Sequence, residues 1–150
     1  MEENSKNVDR KALGKKNKNK GNVAERYYRD EFRDIGYVKC VTARLGSRLH
    51  DSAGLDLVLL PYNVQVKVGE QKSLKPREEL IYMGNRMEEL FPSSSLEFNY
   101  PKLIIHKRYA EGSRRTEFDE IVTMTFKDFK KMAKTIFELE KKIEQLSNSK

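Results

Sequence analysis

The sequence predicts an α/β domain, a mixed sheet of about five strands flanked by helices. Short β-prone runs alternate with segments of helical period, and Val64, Val66 and Val68 alternate cleanly with Gln65 and Lys67. A chain of 150 residues also suits one compact domain with short appendages rather than two cores. The expected order is helix, three strands, helix, two strands, helix.

Residues 1–21 lack hydrophobic periodicity, and Lys11, Lys15, Lys16, Lys18 and Lys20 follow one another without an intervening acid. They are expected to form a basic flexible N-terminal arm, either contacting phosphates or simply solvated, with residues 22–150 as the folded domain. From Asn22 to about Ile35, Ala24, Tyr27, Tyr28, Phe32 and Ile35 recur at helical spacing, and Gly36 follows where a left-handed helix end is expected. Both tyrosines fall on that apolar stripe, so core packing accounts for them better than base stacking. Tyr37 to Thr42 reads as a short strand, and Arg44 to Gly54 as a polar loop punctuated by glycine.

Leu55–Leu60 and Val64–Val68 form a strand pair joined by Pro61, Tyr62 and Asn63. Pro76 opens a helix that runs to about Leu90, stopped by Pro92 and the serines after it. Lys102–Tyr109 and Glu120–Thr125 give a second strand pair, around a loop containing Glu111, Gly112 and Ser113. A last helix, about residues 126–147, carries Phe129, Met132, Ile136, Leu139, Ile143 and Leu146 at spacings of three and four. That pattern serves a helix packed on its own sheet as well as a dimer seam.

Lys and Arg total 30 against 23 Asp and Glu, a net charge of +7, which favours polyanionic partners and nucleic acid first. No apolar run approaches the ~20 residues that span a bilayer. The first twenty residues lack the apolar core of a secretory signal, so a cytoplasmic, intracellular protein of cellular or viral origin is expected. Cys40, the single cysteine, excludes an internal disulfide and a thiolate metal cage, and reads as a small strand hydrophobe. His50 and His106 are the only histidines, and neither is fixed in a role by the sequence.

Divalent-metal phosphodiester hydrolysis needs carboxylates to hold the ion and a cation to steady the nucleophile or the charged transition state. Glu25 in the first helix, Asp56 in an apolar run, and Gln65 with Lys67 on the next strand offer such a set. The metal would sit on Asp56, the Gln65 amide oxygen and the Val66 carbonyl, supported by Glu25, with Lys67 facing it. Arg44, Ser47 and Arg48, with a backbone contact at Gly46, can take phosphate.

At these residues the chain resembles the PD-(D/E)xK nuclease superfamily and, within it, the archaeal-type Holliday junction resolvases. KGNVAERYYRDEF is similar to the family's basic segment and acidic helix, TARLGSRLHDSAGLDLVLL to its serine-bearing glycine loop and aspartate strand, and VQVKVG to its ExK strand. The likeness covers roughly Lys20 to Gly69, and lies in the order of short motifs. It implies a restriction-endonuclease-like fold, a Mg2+ or Mn2+ cofactor, Ser47 in the family serine's place, and a homodimer that cuts branched DNA.

The chain departs from the family pattern in several places. Gln65 stands where glutamate is usual and brings no charge, so metal affinity should weaken. Leu55 replaces a proline, which affects only the start of the strand. Eight residues separate Asp56 from Gln65, and an even connection puts both on one face, whereas an odd one needs a bulge. Glu70, Gln71 and Lys72 spell a literal ExK just downstream, a second choice because it follows Gly69 without apolar flanks.

Ordinary readings stand beside these. Glu25 can pair with Arg29 one turn on, and Gln65 with Lys67 can be the solvent face of an edge strand. Asp56 within an apolar run is harder to account for without a compensating partner. Lys107, Arg108, Arg114 and Arg115 can extend a DNA surface or be solvated charge. Two further functions stay open: a nuclease of this fold acting on duplex or single-stranded DNA in repair, recombination or restriction, and a non-catalytic DNA-binding protein with a lapsed metal site.

Overall fold

The computed structural model describes residues 2–69, 75–109 and 118–150. The order is α1 (Glu2–Ile35), β1 (Val41–Thr42), α2 (Ala43–Gly46), α3 (Arg48–Ser52), β2 (Leu57–Val58), β3 (Asn63–Val68), α4 (Pro76–Leu90), α5 (Leu96–Asn99), β4 (Lys102–Tyr109), β5 (Phe118–Met124) and α6 (Phe126–Asn148). The mixed α/β architecture is as expected. Five strands form one sheet in the order β1-β2-β3-β4-β5. All neighbouring pairs are antiparallel except β3 and β4, which run parallel, joined by a crossover that contains α4.

β3 is therefore the central strand. Its alternation sorts the two faces of the sheet. Val64 joins Tyr28 of α1, Leu57, Leu103 and Ile105 in one apolar cluster, with Val66 packed beside it. Gln65 and Lys67 look the other way, towards α4, whose Met83 and Met87 bury themselves against Ala53, Leu55 and Phe91. Pro76 at the first turn and the apolar spacing of Leu80, Met83 and Met87 explain why α4 forms where it does.

Several expected elements differ. α1 runs unbroken through residues 2–21, where an arm without secondary structure was expected. Ala24 and Tyr28 anchor its C-terminal half in the core, and the proline-free, Lys-rich segment before them continues the helix despite Gly14 and Gly21. Strand β1 shrinks to Val41–Thr42, because a turn closed by Cys40 N–H on the Tyr37 carbonyl occupies the preceding residues. Cys40 lies in that turn rather than in a strand, fully buried. The loop expected at residues 44–54 instead winds into α2 and α3, with Ser47 as N-cap of α3.

Strand β2 shortens to Leu57–Val58. Leu59 adopts a positive φ of 62°, which turns the chain out of the ladder before Asn63. Ile35, expected on the apolar stripe of α1, is exposed, as is Tyr27. The ExK alternative at Glu70–Lys72, the loop at Glu111–Ser113, and Arg114 with Arg115 lie outside the described residues, as does the Arg108 side chain.

Along α6, Phe129, Ile136, Leu139, Ile143 and Leu146 are all more than half exposed, so the sheet does not cover the stripe. A groove of about 440 Å3 separates the first half of α6 from Tyr37, Tyr62 and Tyr100. No helix among the described residues is long and apolar enough to cross a membrane.

Candidate metal and nucleic-acid site

The site forms where β2 leaves β3. Leu57 registers with Val64, yet Asp56 N–H also donates to the Val64 carbonyl at 2.8 Å. Two residues thus address one, a β-bulge at Asp56. With Leu57 opposite Val64, the eight-residue connection is an even one, and plain alternation already puts Asp56 on the face of Gln65 and Lys67; the bulge adjusts where its carboxylate lies along the edge of β3. There Oδ2 accepts the Val66 N–H at 2.7 Å, taking the ladder position that β2 has vacated.

That single hydrogen bond does not offset the desolvation of the carboxylate. Burial, with a smaller push from Glu25, raises the Asp56 carboxyl from 3.8 to about 7 against the opposing pull of the Val66 N–H, Lys67 and Arg44. These influences place Glu25, Arg44, Asp56 and Lys67 within electrostatic reach of one another. The structure brings together groups that lie on α1, α2, the bulge and β3.

Glu25 is buried on α1, and its Oε1 accepts from Arg44 Nη2 at 3.3 Å. The expected pair with Arg29 does not form; Arg29 binds Asp30 instead. Burial raises the Glu25 carboxyl above its ordinary value, with Arg44 opposing and Asp51 adding to the rise. Gln65 is only 7% exposed, and its Oε1 has no hydrogen-bond partner among the described residues. β3 is central, so Gln65 and Lys67 are not the outer face of an edge strand. Lys67 Nζ lies 3.9 Å from Glu79 Oε2 at the start of α4.

The donor set fits a hard cation. Asp56 and Glu25 supply carboxylates, and Gln65 supplies a buried, unpartnered amide oxygen of the type that magnesium and calcium accept. Among the described residues no group of three or more His, Cys, Asp or Glu side chains forms a cage. The arrangement suits an ion held by few protein oxygens and otherwise by water, as is usual for magnesium.

In the expected phosphate loop, Arg44 is engaged by Glu25, and Arg48 is exposed on α3. Ser47 Oγ receives the His50 N–H and lies 2.7 Å from His50 Nδ1. Gly46 also has a packing reason. A Cβ there would approach Val41 Cγ2 to 2.6 Å and Val58 Cγ2 to 2.8 Å, so α2 sits on β1 and β2 only because the side chain is absent. Lys15, Lys16, Lys18 and Lys20 are exposed along α1.

Sequence reasoning missed Asp51 and Glu79. Asp51 acts on Glu25 only because the chain returns it within electrostatic reach of α1, and Glu79 meets Lys67 only through the crossover. The two acidic residues after Pro76 were visible as a favourable first turn, but nothing in their spacing aims one of them at β3. Comparison with known proteins finds no matching family model, curated protein or solved structure.

Proposed function

We propose that the protein is a metal-dependent nuclease of the PD-(D/E)xK type on a restriction-endonuclease-like fold. The observation that carries the reading is the pairing, at one opening of the central sheet, of the desolvated Asp56 carboxylate with the buried, unpartnered Gln65 Oε1, one residue on either side of Val66 from Lys67. A self-contained fold has little use for either group. Within the class, we read the chain as a Holliday junction resolvase, from the order of motifs between Lys20 and Gly69.

Asp56, Gln65 and the Val66 carbonyl would hold Mg2+ or Mn2+, with Glu25 behind them. The ion supplies Lewis-acid polarisation of a phosphodiester. The protein's own groups do the rest. Lys67 places an ammonium beside Asp56 to orient the nucleophile or receive developing charge. Arg44 and Arg48 take the flanking phosphates, and Arg44 has to leave Glu25 to do so.

A symmetric pair of cuts calls for a two-fold dimer, and α6 supplies a surface suited to a second copy. Phe129, Ile136 and Ile143 occupy one heptad core position and Met132, Leu139 and Leu146 the other. In the last two heptads isoleucine at the first and leucine at the second favour two parallel strands, while Phe129 and Met132 depart from that pattern. No like-charged residues face each other beside that seam.

A second reading has its own support: Arg44 engages Glu25, Glu79 engages Lys67, and Gln65 carries no charge, as in a DNA-binding protein whose metal site has lapsed. The deciding experiment is cleavage of a labelled four-way junction with magnesium or manganese, against linear duplex, by wild type and by Asp56→Asn and Lys67→Ala. Paired symmetric nicks absent from both variants support the resolvase. Cleavage of duplex or single strands in preference to junctions makes the protein a nuclease of another substrate. Tight binding with no metal uptake in calorimetry supports the lapsed site.

A further inference from the structure

A second concave feature lies on the opposite side of Glu25. A groove of about 620 Å3 separates the middle of α1 from the ends of β3 and β4. Lys15 and Lys20 from α1 and Lys107 from β4 form its rim, and Val23 and Tyr27 form much of its floor. Val23 is 60% exposed and Tyr27 38%, whereas the neighbouring Tyr28 is buried in the core. The two tyrosines thus have separate roles, although the sequence places both on one stripe. The Lys107 ammonium lies 4.2 Å from the centroid of the Tyr27 ring.

Ala24 and Val68 also line it, and Val68 shares the face of Val64 and Val66, so the groove lies on the α1 face of the sheet, opposite the side that Lys67 faces. A cationic rim over an apolar, partly aromatic floor is the arrangement that binds an unpaired strand, whose phosphates meet the lysines while its base faces cover the floor. A duplex offers such a floor nothing, because its base faces are stacked inside.

We infer that this groove holds an unpaired nucleic-acid strand, so that the substrate is DNA with a splayed or single-stranded arm. That the strand belongs to a substrate rests on the nuclease reading; the strand site does not.

The test separates the two. Affinity of the full-length protein for a fluorescent oligothymidylate is measured in EDTA, with a duplex of equal length as competitor, for wild type, Tyr27→Ala, Val23→Glu, Lys20→Gln and the charge-matched Lys39→Gln. Lys39 is exposed and lies outside the groove. Tyr27→Ala, Val23→Glu and Lys20→Gln should each weaken binding by about fivefold or more, and Lys39→Gln by less than about twofold. Tyr27 touches the Tyr28 ring, so its truncation can loosen α1. Val23→Glu repels phosphate from a side chain outside the core and keeps the test valid.

Equal losses for Lys20→Gln, Lys39→Gln and Val23→Glu, with Tyr27→Ala unchanged, would overturn the inference in favour of diffuse charge. Preferential binding of duplex would overturn it too. Cleavage with magnesium is scored separately on the same variants. A wild type that binds the strand through Tyr27 and Val23 but never cleaves sustains the groove and removes the nuclease.

Discussion

The opening beside Asp56 and the stripe on α6 break the usual distribution of residues in opposite senses. At the first, charged and amide groups are withdrawn from water with too few partners. Along the second, isoleucine and leucine stand in water, Ile143 at 63% exposure and Leu146 at 67%. Each is unfavourable in an isolated chain, by desolvation in one case and by lost burial in the other. The difference teaches how the proposed reading treats each place: it puts a cation at the buried oxygen donors and a second apolar helix on the exposed heptad.

Loss of the first partner site has the largest expected effect. Asp56→Asn keeps the shape of the side chain and an acceptor for Val66 N–H but removes the charge that would hold the ion. Cleavage should fall on the order of 1,000-fold, the worth of several kcal/mol of transition-state stabilisation, while the circular dichroism spectrum is retained. If Asp56→Asn cleaves at the wild-type rate, the opening is not the active site.

The same residue sharpens the comparison through pH. The unfolded chain releases the Asp56 proton near 3.8, whereas the folded protein keeps it to about 7. Between those values the folded state binds more protons, so this group stabilises fully at low pH, and its contribution is lost as pH rises through about 7. Thermal melts without metal should show wild type losing stability relative to Asp56→Asn between pH 5 and pH 8. Adding magnesium at pH 8 should restore wild type alone. A difference between the two proteins that is flat with pH would mean that the carboxyl titrates normally.

On α6, Ile136→Glu combined with Ile143→Glu should convert a dimer to monomer in sedimentation equilibrium. The melting temperature of the remaining monomer should become independent of concentration, because neither side chain belongs to a core cluster. A wild type that is monomeric at the highest attainable concentration would remove the seam. Between these extremes, Gly46→Ala tests the floor of the site. The added Cβ meets two valine methyls, and overpacking of that kind costs about 1–3 kcal/mol in denaturant melts.

What could be read from the sequence follows from how local each determinant is. α4 and β4 were legible to the residue, since Pro76 and a short β-prone apolar run are local facts. Asp56, Gln65 and Lys67 were legible as a set because an acid inside an apolar run is anomalous wherever it folds. The bulge that aims Asp56, the Arg44 and Glu79 partners, and the split between Tyr27 and Tyr28 depend on contacts between distant segments. The α6 stripe was legible as a pattern, but its exposure was not, since a period of three and four serves a core and a seam equally.

Glu79→Gln is the gentlest change and separates a carboxylate of the site from a neighbour of it. The Lys67–Glu79 contact is long, 3.9 Å, and both side chains are about one-third exposed. Solvent-screened pairs of this kind contribute ~0–1 kcal/mol, so the melting temperature should barely move. If Glu79 only steadies the lysine, cleavage by Glu79→Gln should fall by a few-fold, far less than in Lys67→Ala, with the loss shrinking as ionic strength rises. A loss equal to that of Lys67→Ala, joined to weaker magnesium uptake in calorimetry, would instead make Glu79 the carboxylate that stands in for the charge Gln65 lacks.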